Sequence, residues 1–283
     1  MEYDLTCVLG PTASGKTRYA VALAKQTGAE ILSADSRQVY RGMDIGTGKD
    51  LADYDGVPYH LIDIVPAGTR YDIYRYQRDF HKAYGDIKAR GRQAILCGGS
   101  GLYIEAATRG YRLPDVPQNP ELRASLEKET DEALIQKLAS LKSLHNSTDY
   151  DTRQRLIRAL EIAIYEQEHP VDRTAFPPIK TKYIGLDVSR EVRNARIDAR
   201  LDARLAAGMV GEVKGLLDSG IAPEDLIYYG LEYKFVTLYL TGQLTYDEMH
   251  DRLATAIHQF AKRQMTWFRG MERRGIEIEW VKV

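Results

Sequence analysis

Short apolar runs alternate with longer amphipathic stretches along most of the chain. The amphipathic stretches predict helices, and the apolar runs predict strands near residues 4–9, 30–34, 59–65, 93–98, 182–188 and 276–282. Strands that alternate with helices in this way are typical of a parallel sheet whose faces are covered by helices. The pattern therefore predicts an α/β fold with a parallel sheet flanked by helices.

The alternation stops in the middle of the chain, where prolines flank a stretch that has helical patterning alone. We expect a helical insertion domain at residues 113–178 and a core built from residues 1–112 and 179–283. The 283 residues are enough for two such domains, at about 150 residues per domain.

The charge of the chain is nearly balanced, with a formal net charge of −1, so it indicates no general attraction to nucleic acid. Arginines do cluster locally, at 153–158, 190–204 and 263–274, and a basic surface could form there. No apolar run is long enough to span a membrane, and the first residues lack the pattern of a signal peptide. We therefore expect no membrane partner and a cytoplasmic location.

A phosphate-binding loop follows the first predicted strand. The segment Gly10-Pro11-Thr12-Ala13-Ser14-Gly15-Lys16-Thr17 fits the pattern GxxxxGK[ST] and leads into an amphipathic helix. Small residues allow backbone N–H groups to surround phosphate oxygens at a helix N-terminus, Lys16 adds a positive charge, and the Thr17 hydroxyl suits Mg²⁺. The pattern predicts a diphosphate or polyphosphate site, without specifying a nucleotide.

Two aspartates follow predicted strands at the edge of the sheet where ligands bind. Asp35 comes directly after the second strand, where it would act as a general base or cap the following turn. Asp63 is expected to end the third strand, where it would hold Mg²⁺ through water or serve as a structural cap.

Six segments in order along the chain resemble the tRNA dimethylallyltransferase (isopentenyltransferase) family. They are GPTASGKT at 10–17, ADSRQVYRGMDIGTGK at 34–49, HLIDI at 60–64, GGSGLY at 98–103, RLIRALE at 155–161 and AKRQMTWFR at 261–269. The resemblance implies a P-loop core and transfer of a dimethylallyl group from dimethylallyl diphosphate to N6 of the tRNA adenosine at position 37, next to the anticodon. It further implies Mg²⁺ as cofactor, and we expect a monomer.

The resemblance also assigns roles to individual residues. It implies that Asp35 is the general base and that Lys16 and Ser100 stabilise the leaving diphosphate; relatives mostly have threonine at position 100. The implied diphosphate-binding residues are Gly10, Thr12, Ala13, Ser14, Gly15, Lys16, Thr17 and Arg200. The implied tRNA-binding residues are Asp35, Ser36, Arg37, Gln38, Ser100, Arg123, Gln154, Arg155, Leu156, Ile157 and Arg158. Thr17 is the expected Mg²⁺ ligand, with Asp63 as a second ligand through water.

At some positions this chain differs from the family pattern, and two further arginines have no role in that pattern. Where relatives have Gly-Tyr-Lys-Glu, this chain has Glu232-Tyr233-Lys234-Phe235, and His258 replaces an arginine. Because the first segment contributes to tRNA contact in relatives, the carboxylate is expected to alter that contact. Arg196 and Arg204 flank Arg200 on one helix face, where we expect a solvated charged surface.

Three other functions remain open from the sequence. An adenylate isopentenyltransferase would use the same chemistry on AMP, ADP or ATP. A small-molecule kinase would use the loop for ATP, although it would need arginines on a lid. A nucleotide-dependent RNA-binding switch would not need Asp35 at all.

Overall fold

The computed structural model describes residues 3–142, 152–169 and 176–283. The chain divides into two compact units: a first unit of Met1–Tyr111 with Pro177–Val283, and a second unit of Arg112–Phe176. The hydrophobic residues of the second unit form a cluster separate from the clusters of the first.

The first unit is built on a parallel sheet, as the sequence predicts. The strands are β1 (Leu5–Leu9), β2 (Glu30–Ala34), β3 (Tyr40–Arg41), β4 (Tyr59–His60), β5 (Val65–Pro66), β6 (Ala94–Gly98), β7 (Thr181–Asp187) and β8 (Ile278–Lys282). Six of them form the central sheet in the order β4-β2-β6-β1-β7-β8, and every pairing in it is parallel. Strands β3 and β5 pair separately, also in parallel.

Helices account for most of the remaining described residues. Those of the first unit are α1 (Lys16–Thr27), α2 (Ile73–Ala89), α3 (Gly101–Thr108), α7 (Arg190–Ala206), α8 (Met209–Asp218), α9 (Pro223–Tyr228), α10 (Leu231–Leu240) and α11 (Tyr246–Arg273), with a 3₁₀ helix at Leu51–Tyr54. Those of the second unit are α4 (Pro120–Leu126), α5 (Asp131–Leu141) and α6 (Arg153–Glu168). None of the helices in the described ranges combines the length and apolar character needed to cross a membrane.

The register of the central strands brings three loops together. Leu9 of β1 and Ala34 of β2 both pair with Gly98 of β6, so the three strands end at the same level. Gly98 allows this close pairing, because a Cβ atom there would lie 2.3 Å from the carbonyl oxygen of Ala34. The loops that follow these strands therefore begin side by side at the carboxyl edge of the sheet.

The predicted third strand at 59–65 is wrong in its second half. Only Tyr59–His60 pairs with β2, and the chain then turns through Leu61 (φ 66°) and Asp63 (φ 56°) before β5 begins. A strand residue has negative φ, so these two conformations end the strand. The apolar pattern does not reveal the turn because Leu61 and Ile62 are still buried.

The second unit is a small helical bundle with a buried charge network beside its apolar core. Its described core contains residues of α4, α5 and α6: Leu126, Leu134, Leu138, Leu156, Ile157, Ala159, Leu160 and Ala163. Beside this core, the carboxylate of Glu161 is 1% exposed, and it accepts hydrogen bonds from Arg123 at 2.9 and 2.7 Å and from Arg158. Although burial alone would raise its pKa, these hydrogen bonds and one from the Asn119 N–H hold the pKa of Glu161 below its usual value.

Candidate active site

The loop between β1 and α1 has the backbone conformation of an anion-binding loop. Ala13 (φ 61°) and Gly15 (φ 82°) both adopt the left-handed conformation, and the Ser14 between them does not. Alternation of this kind turns successive N–H groups toward one concave surface. The Ser14 hydroxyl is buried without a hydrogen-bond partner in the described structure, as expected for a group that awaits a polar ligand.

Two cations flank this loop. The Lys16 ammonium donates a hydrogen bond to the carbonyl oxygen of Pro11 at 3.3 Å, and burial lowers the pKa of Lys16. The Arg200 guanidinium of α7 donates to the Thr12 hydroxyl, and burial together with the charge of Arg204 lowers the pKa of Arg200 to about 10. Arg200 therefore stays cationic at neutral pH and lies against the loop, 188 residues away in sequence.

Asp35 lies on the neighbouring loop, directly after β2. Its Oδ1 accepts a hydrogen bond from the backbone N–H of Arg37 at 2.8 Å, so Asp35 does cap the turn that follows. No other hydrogen bond of this carboxylate occurs among the described residues, which leaves Oδ2 able to accept a proton. The side chain is partly exposed. Capping and proton transfer are thus compatible within one carboxylate.

Ser100 connects the loop after β2 with the loop after β6. Its hydroxyl accepts a hydrogen bond from the Ser36 N–H at 3.3 Å, and its own N–H donates to the Ala34 carbonyl at 3.3 Å. The hydroxyl proton of Ser100 remains available to a ligand. The structure therefore brings Lys16, Asp35, Ser100 and Arg200 to one edge of the sheet.

Gln264 of α11 connects the phosphate-binding loop to the Ser100 loop, and sequence reasoning did not identify it. Its Oε1 accepts from the Thr12 N–H at 2.8 Å, while its Nε2 donates to the Gly99 carbonyl at 3.0 Å. Trp267, one turn further on, packs so closely that a Cβ on Gly101 would lie 2.1 Å from its ring. The only sequence signal was that both side chains lie in the AKRQMTWFR segment.

We expect Gln264→Ala to lower the free energy of unfolding by about 1–3 kcal/mol, because it leaves the Thr12 N–H and the Gly99 carbonyl without partners. Diphosphate affinity should fall as well, since Gln264 holds the loop. Thermal denaturation and calorimetric titration with inorganic diphosphate measure both effects. Gln259→Ala removes an exposed glutamine from the same helix and is the matched control; equal effects of the two variants would contradict this role.

The predicted metal ligands differ in how well they suit Mg²⁺. Thr17 lies in the first turn of α1, and its hydroxyl makes no hydrogen bond among the described residues. Asp63 does not fit, because its Oδ1 pairs with the buried ammonium of Lys49, which also contacts Asp44 at 2.8 Å. In the described parts of the chain, no group of three or more acidic, histidine or cysteine residues is arranged to hold a metal ion. Any Mg²⁺ would therefore depend on phosphate oxygens and water for most of its ligands.

Among the predicted RNA-binding residues of the loop after β2, Gln38 is held by hydrogen bonds within the protein. Gln38 accepts from the Ser33 hydroxyl at 3.2 Å and donates to the Gly48 carbonyl at 3.1 Å. Arg37 lies 5.7 Å from the ring centre of the exposed Tyr228 and is the side chain of this loop best placed for an outside contact.

The predicted RNA-binding residues of the second unit fall into three groups. Leu156 and Ile157 are 1% and 4% exposed, so their side chains pack in the core, and their RNA contact stays a prediction. Arg123 and Arg158 both bind Glu161, which gives them a structural role, although each side chain is one-third exposed. Gln154 and Arg155 lie exposed at the start of α6.

Arg204 departs from the expected solvated face. Its side chain is 14% exposed and its Nη1 lies 3.7 Å from Oε1 of Glu232, the carboxylate that replaces a family glycine. Arg196 is exposed as expected. Glu232 therefore contacts a cation of the candidate site instead of extending into solvent.

Comparison with known proteins places these features in a family. The family model "IPP transferase" matches residues 38–271, and the model "Isopentenyl transferase" matches residues 3–54. The chain is 62% identical to tRNA dimethylallyltransferase 1 of Porphyromonas gingivalis, over 97% of this chain and 92% of that protein. It is 59% identical to the protein of the same name from Parabacteroides distasonis, over 99% and 92% of the two chains.

Solved structures agree with this placement. A tRNA isopentenylpyrophosphate transferase of Bacillus halodurans is 34% identical and superimposes with a TM-score of 0.72, covering all of this chain and 90% of its own. A eukaryotic dimethylallyltransferase acting on tRNA has a TM-score of 0.75 at 24% identity, over 98% and 73% of the two chains, and supports the fold alone. The P-loop fold, the matched segments and the extent of these similarities together show that the chain belongs to the IPP transferase family.

Proposed function

We propose that the protein transfers a dimethylallyl group from dimethylallyl diphosphate to N6 of an adenosine in tRNA, at position 37 beside the anticodon. The observation that carries the proposal is the meeting of three loops at one edge of the sheet: an anion-binding loop with Lys16 and Arg200, a loop with Asp35, and a loop with Ser100. The names of the relatives at 59–62% identity, tRNA dimethylallyltransferase, supply the substrate class.

The chemistry assigns a role to each side of this site. The N6 amine attacks C1 of the dimethylallyl group, the C1–O bond breaks, and diphosphate leaves with the bonding electrons. Asp35 accepts the proton that N6 loses. Lys16, Arg200, the loop N–H groups and the Ser100 hydroxyl stabilise the negative charge that develops on the leaving oxygen.

Mg²⁺ fits this site through Thr17 and the phosphate oxygens of the substrate. When bound, the ion would neutralise part of the diphosphate charge. Thr17→Val is therefore expected to raise the Mg²⁺ concentration for half-maximal activity by about tenfold, because it removes one oxygen ligand of the ion. Asp63→Asn should leave that concentration unchanged, because Lys49 already neutralises Asp63; a shift in the Asp63 variant alone would reverse the assignment.

Transfer to RNA is tested with labelled dimethylallyl diphosphate and Mg²⁺. Parallel reactions contain tRNA from cells lacking the modification, AMP or ATP, followed by digestion and mass spectrometry of the nucleosides. The expected product is N6-isopentenyladenosine from tRNA. Labelled AMP or ATP without labelled tRNA would contradict the proposal and support an adenylate isopentenyltransferase.

The acceptor position is tested with a matched pair of RNAs. An anticodon stem-loop with adenosine at position 37 should accept the group, and the same stem-loop with guanosine there should not. Label in both would show that another adenosine is the acceptor.

The expected monomeric state and cytoplasmic location stay predictions.

A further inference from the structure

Arg200 and Arg204 lie on the same edge of α7. Residues four apart on a helix are neighbours about 6 Å apart along its axis. Arg200 donates to the Thr12 hydroxyl of the phosphate-binding loop. Arg204 therefore lies one turn further along the helix, on the edge that faces the candidate active site.

Arg204 packs against Gly48, in the segment that follows β3. Gly48 has φ +64°, and a Cβ on it would lie 1.6 Å from Nη2 of Arg204, so the guanidinium occupies the space beside this glycine. The Gly48 carbonyl in turn accepts from Gln38, three residues after Asp35. The guanidinium of Arg204 thus contacts a segment that is hydrogen-bonded to the loop of the predicted general base.

The side chain of Arg204 is mostly buried. It is 14% exposed, and the described residues provide it with no hydrogen bond. The Glu232 carboxylate, at 3.7 Å, pairs with it by charge but lies beyond hydrogen-bonding distance. A guanidinium carries five N–H donors, so Arg204 can still donate hydrogen bonds to a ligand.

Electrostatics connects Arg204 to the phosphate-binding loop. Burial lowers the pKa of both Lys16 and Arg200, and the positive charge of Arg204 lowers both pKa values further. Burial raises the pKa of Glu232, and the charges of Arg204 and Arg200 oppose that rise. Three cations are therefore close enough to act on one another, and a multiply charged anion is the ligand that such a group favours.

From this arrangement we infer that Arg204 is a second guanidinium for the diphosphate of the donor, and that Glu232 is the counter-ion of Arg204 until the anion binds. The inference rests on the proposed function for the identity of the donor. The diphosphate provides hydrogen-bond acceptors for Arg204, and it competes with Glu232 for the guanidinium. The substitution of the family glycine by Glu232 thereby affects the donor side of the site.

Binding of inorganic diphosphate at fixed Mg²⁺ concentration, measured by calorimetry on the full chain, tests this inference without prenyl transfer. Arg204→Gln should weaken binding by about tenfold or more, the effect of losing a charge-assisted contact. Arg204→Lys keeps the charge and should recover part of the affinity. Glu232→Gln should tighten binding by about threefold, because it removes the competing carboxylate. Arg196→Gln, which removes an exposed guanidinium of the same helix, should change binding less than twofold.

The outcomes separate the inference from the proposed function. Unchanged diphosphate binding in Arg204→Gln, or a loss matched by Arg196→Gln, would overturn the role of Arg204. Weaker binding in Glu232→Gln would overturn the role of Glu232 as a competing counter-ion and show that it supports the fold of the site. If the variants behave as expected but no RNA is prenylated, the anion site stands and the proposed function fails.

Discussion

Replacement of Asp35 by alanine is expected to lower the rate of the chemical step by about 10²–10⁴-fold, the usual contribution of a general base. Diphosphate affinity should stay nearly unchanged, because the anion-binding groups lie on the loop after β1 and on α7. Single-turnover kinetics with saturating tRNA and donor measures the rate, and calorimetry with inorganic diphosphate measures the affinity.

Asp35→Asn separates proton transfer from capping. The amide oxygen of asparagine can still accept from the Arg37 N–H, as Oδ1 does at 2.8 Å in the protein. The asparagine cannot take a proton from N6, so this variant should be nearly as slow as Asp35→Ala. A rate close to that of the wild-type protein would identify Asp35 as a structural cap. Equal losses of diphosphate binding and chemical rate in both variants would also identify it as structural.

Lys16→Ala is expected to weaken diphosphate binding and to lower the chemical rate by about 10²–10³-fold, as removal of one preorganised donor to a developing negative charge does. Both quantities should fall because Lys16 interacts with the diphosphate before and during its departure. Titration with inorganic diphosphate and single-turnover prenyl transfer measure the two effects.

The matched control is Lys25→Ala, which removes a lysine from the last turn of the same helix. Lys25 is exposed and pairs with Asp55 at the surface. This variant should bind diphosphate and turn over as the unmodified protein does. Unaltered binding in Lys16→Ala would contradict the assignment of the loop to the diphosphate.

The parts of the fold that the sequence predicts well depend on local patterns. The loop at 10–17 lies between a strand and a helix, and each of its residue types has a local reason to be there. The turn at Leu61 was missed because a buried apolar residue in a left-handed conformation looks like a strand residue in the sequence. Backbone conformation at such positions follows from packing that no short pattern records.

The parts of the site that were missed depend on contacts distant in sequence. Gln264 lies 252 residues from its partner Thr12, so no spacing rule connects them. The sequence predicts Asp63 as a metal ligand because it follows an apolar run, and no sequence pattern reveals its ion pair with Lys49. Arg204 was expected in solvent because helix periodicity places it beside exposed residues, whereas its burial depends on the space that Gly48 leaves.

The most direct test of the account is a crystal structure with a non-reactive thio analogue of dimethylallyl diphosphate and an anticodon stem-loop. We expect diphosphate oxygens within hydrogen-bonding distance of the N–H groups of residues 13–17, of Lys16 and of Arg200, with the adenosine N6 next to the Asp35 carboxylate. A diphosphate bound elsewhere, or an N6 distant from Asp35, would contradict it.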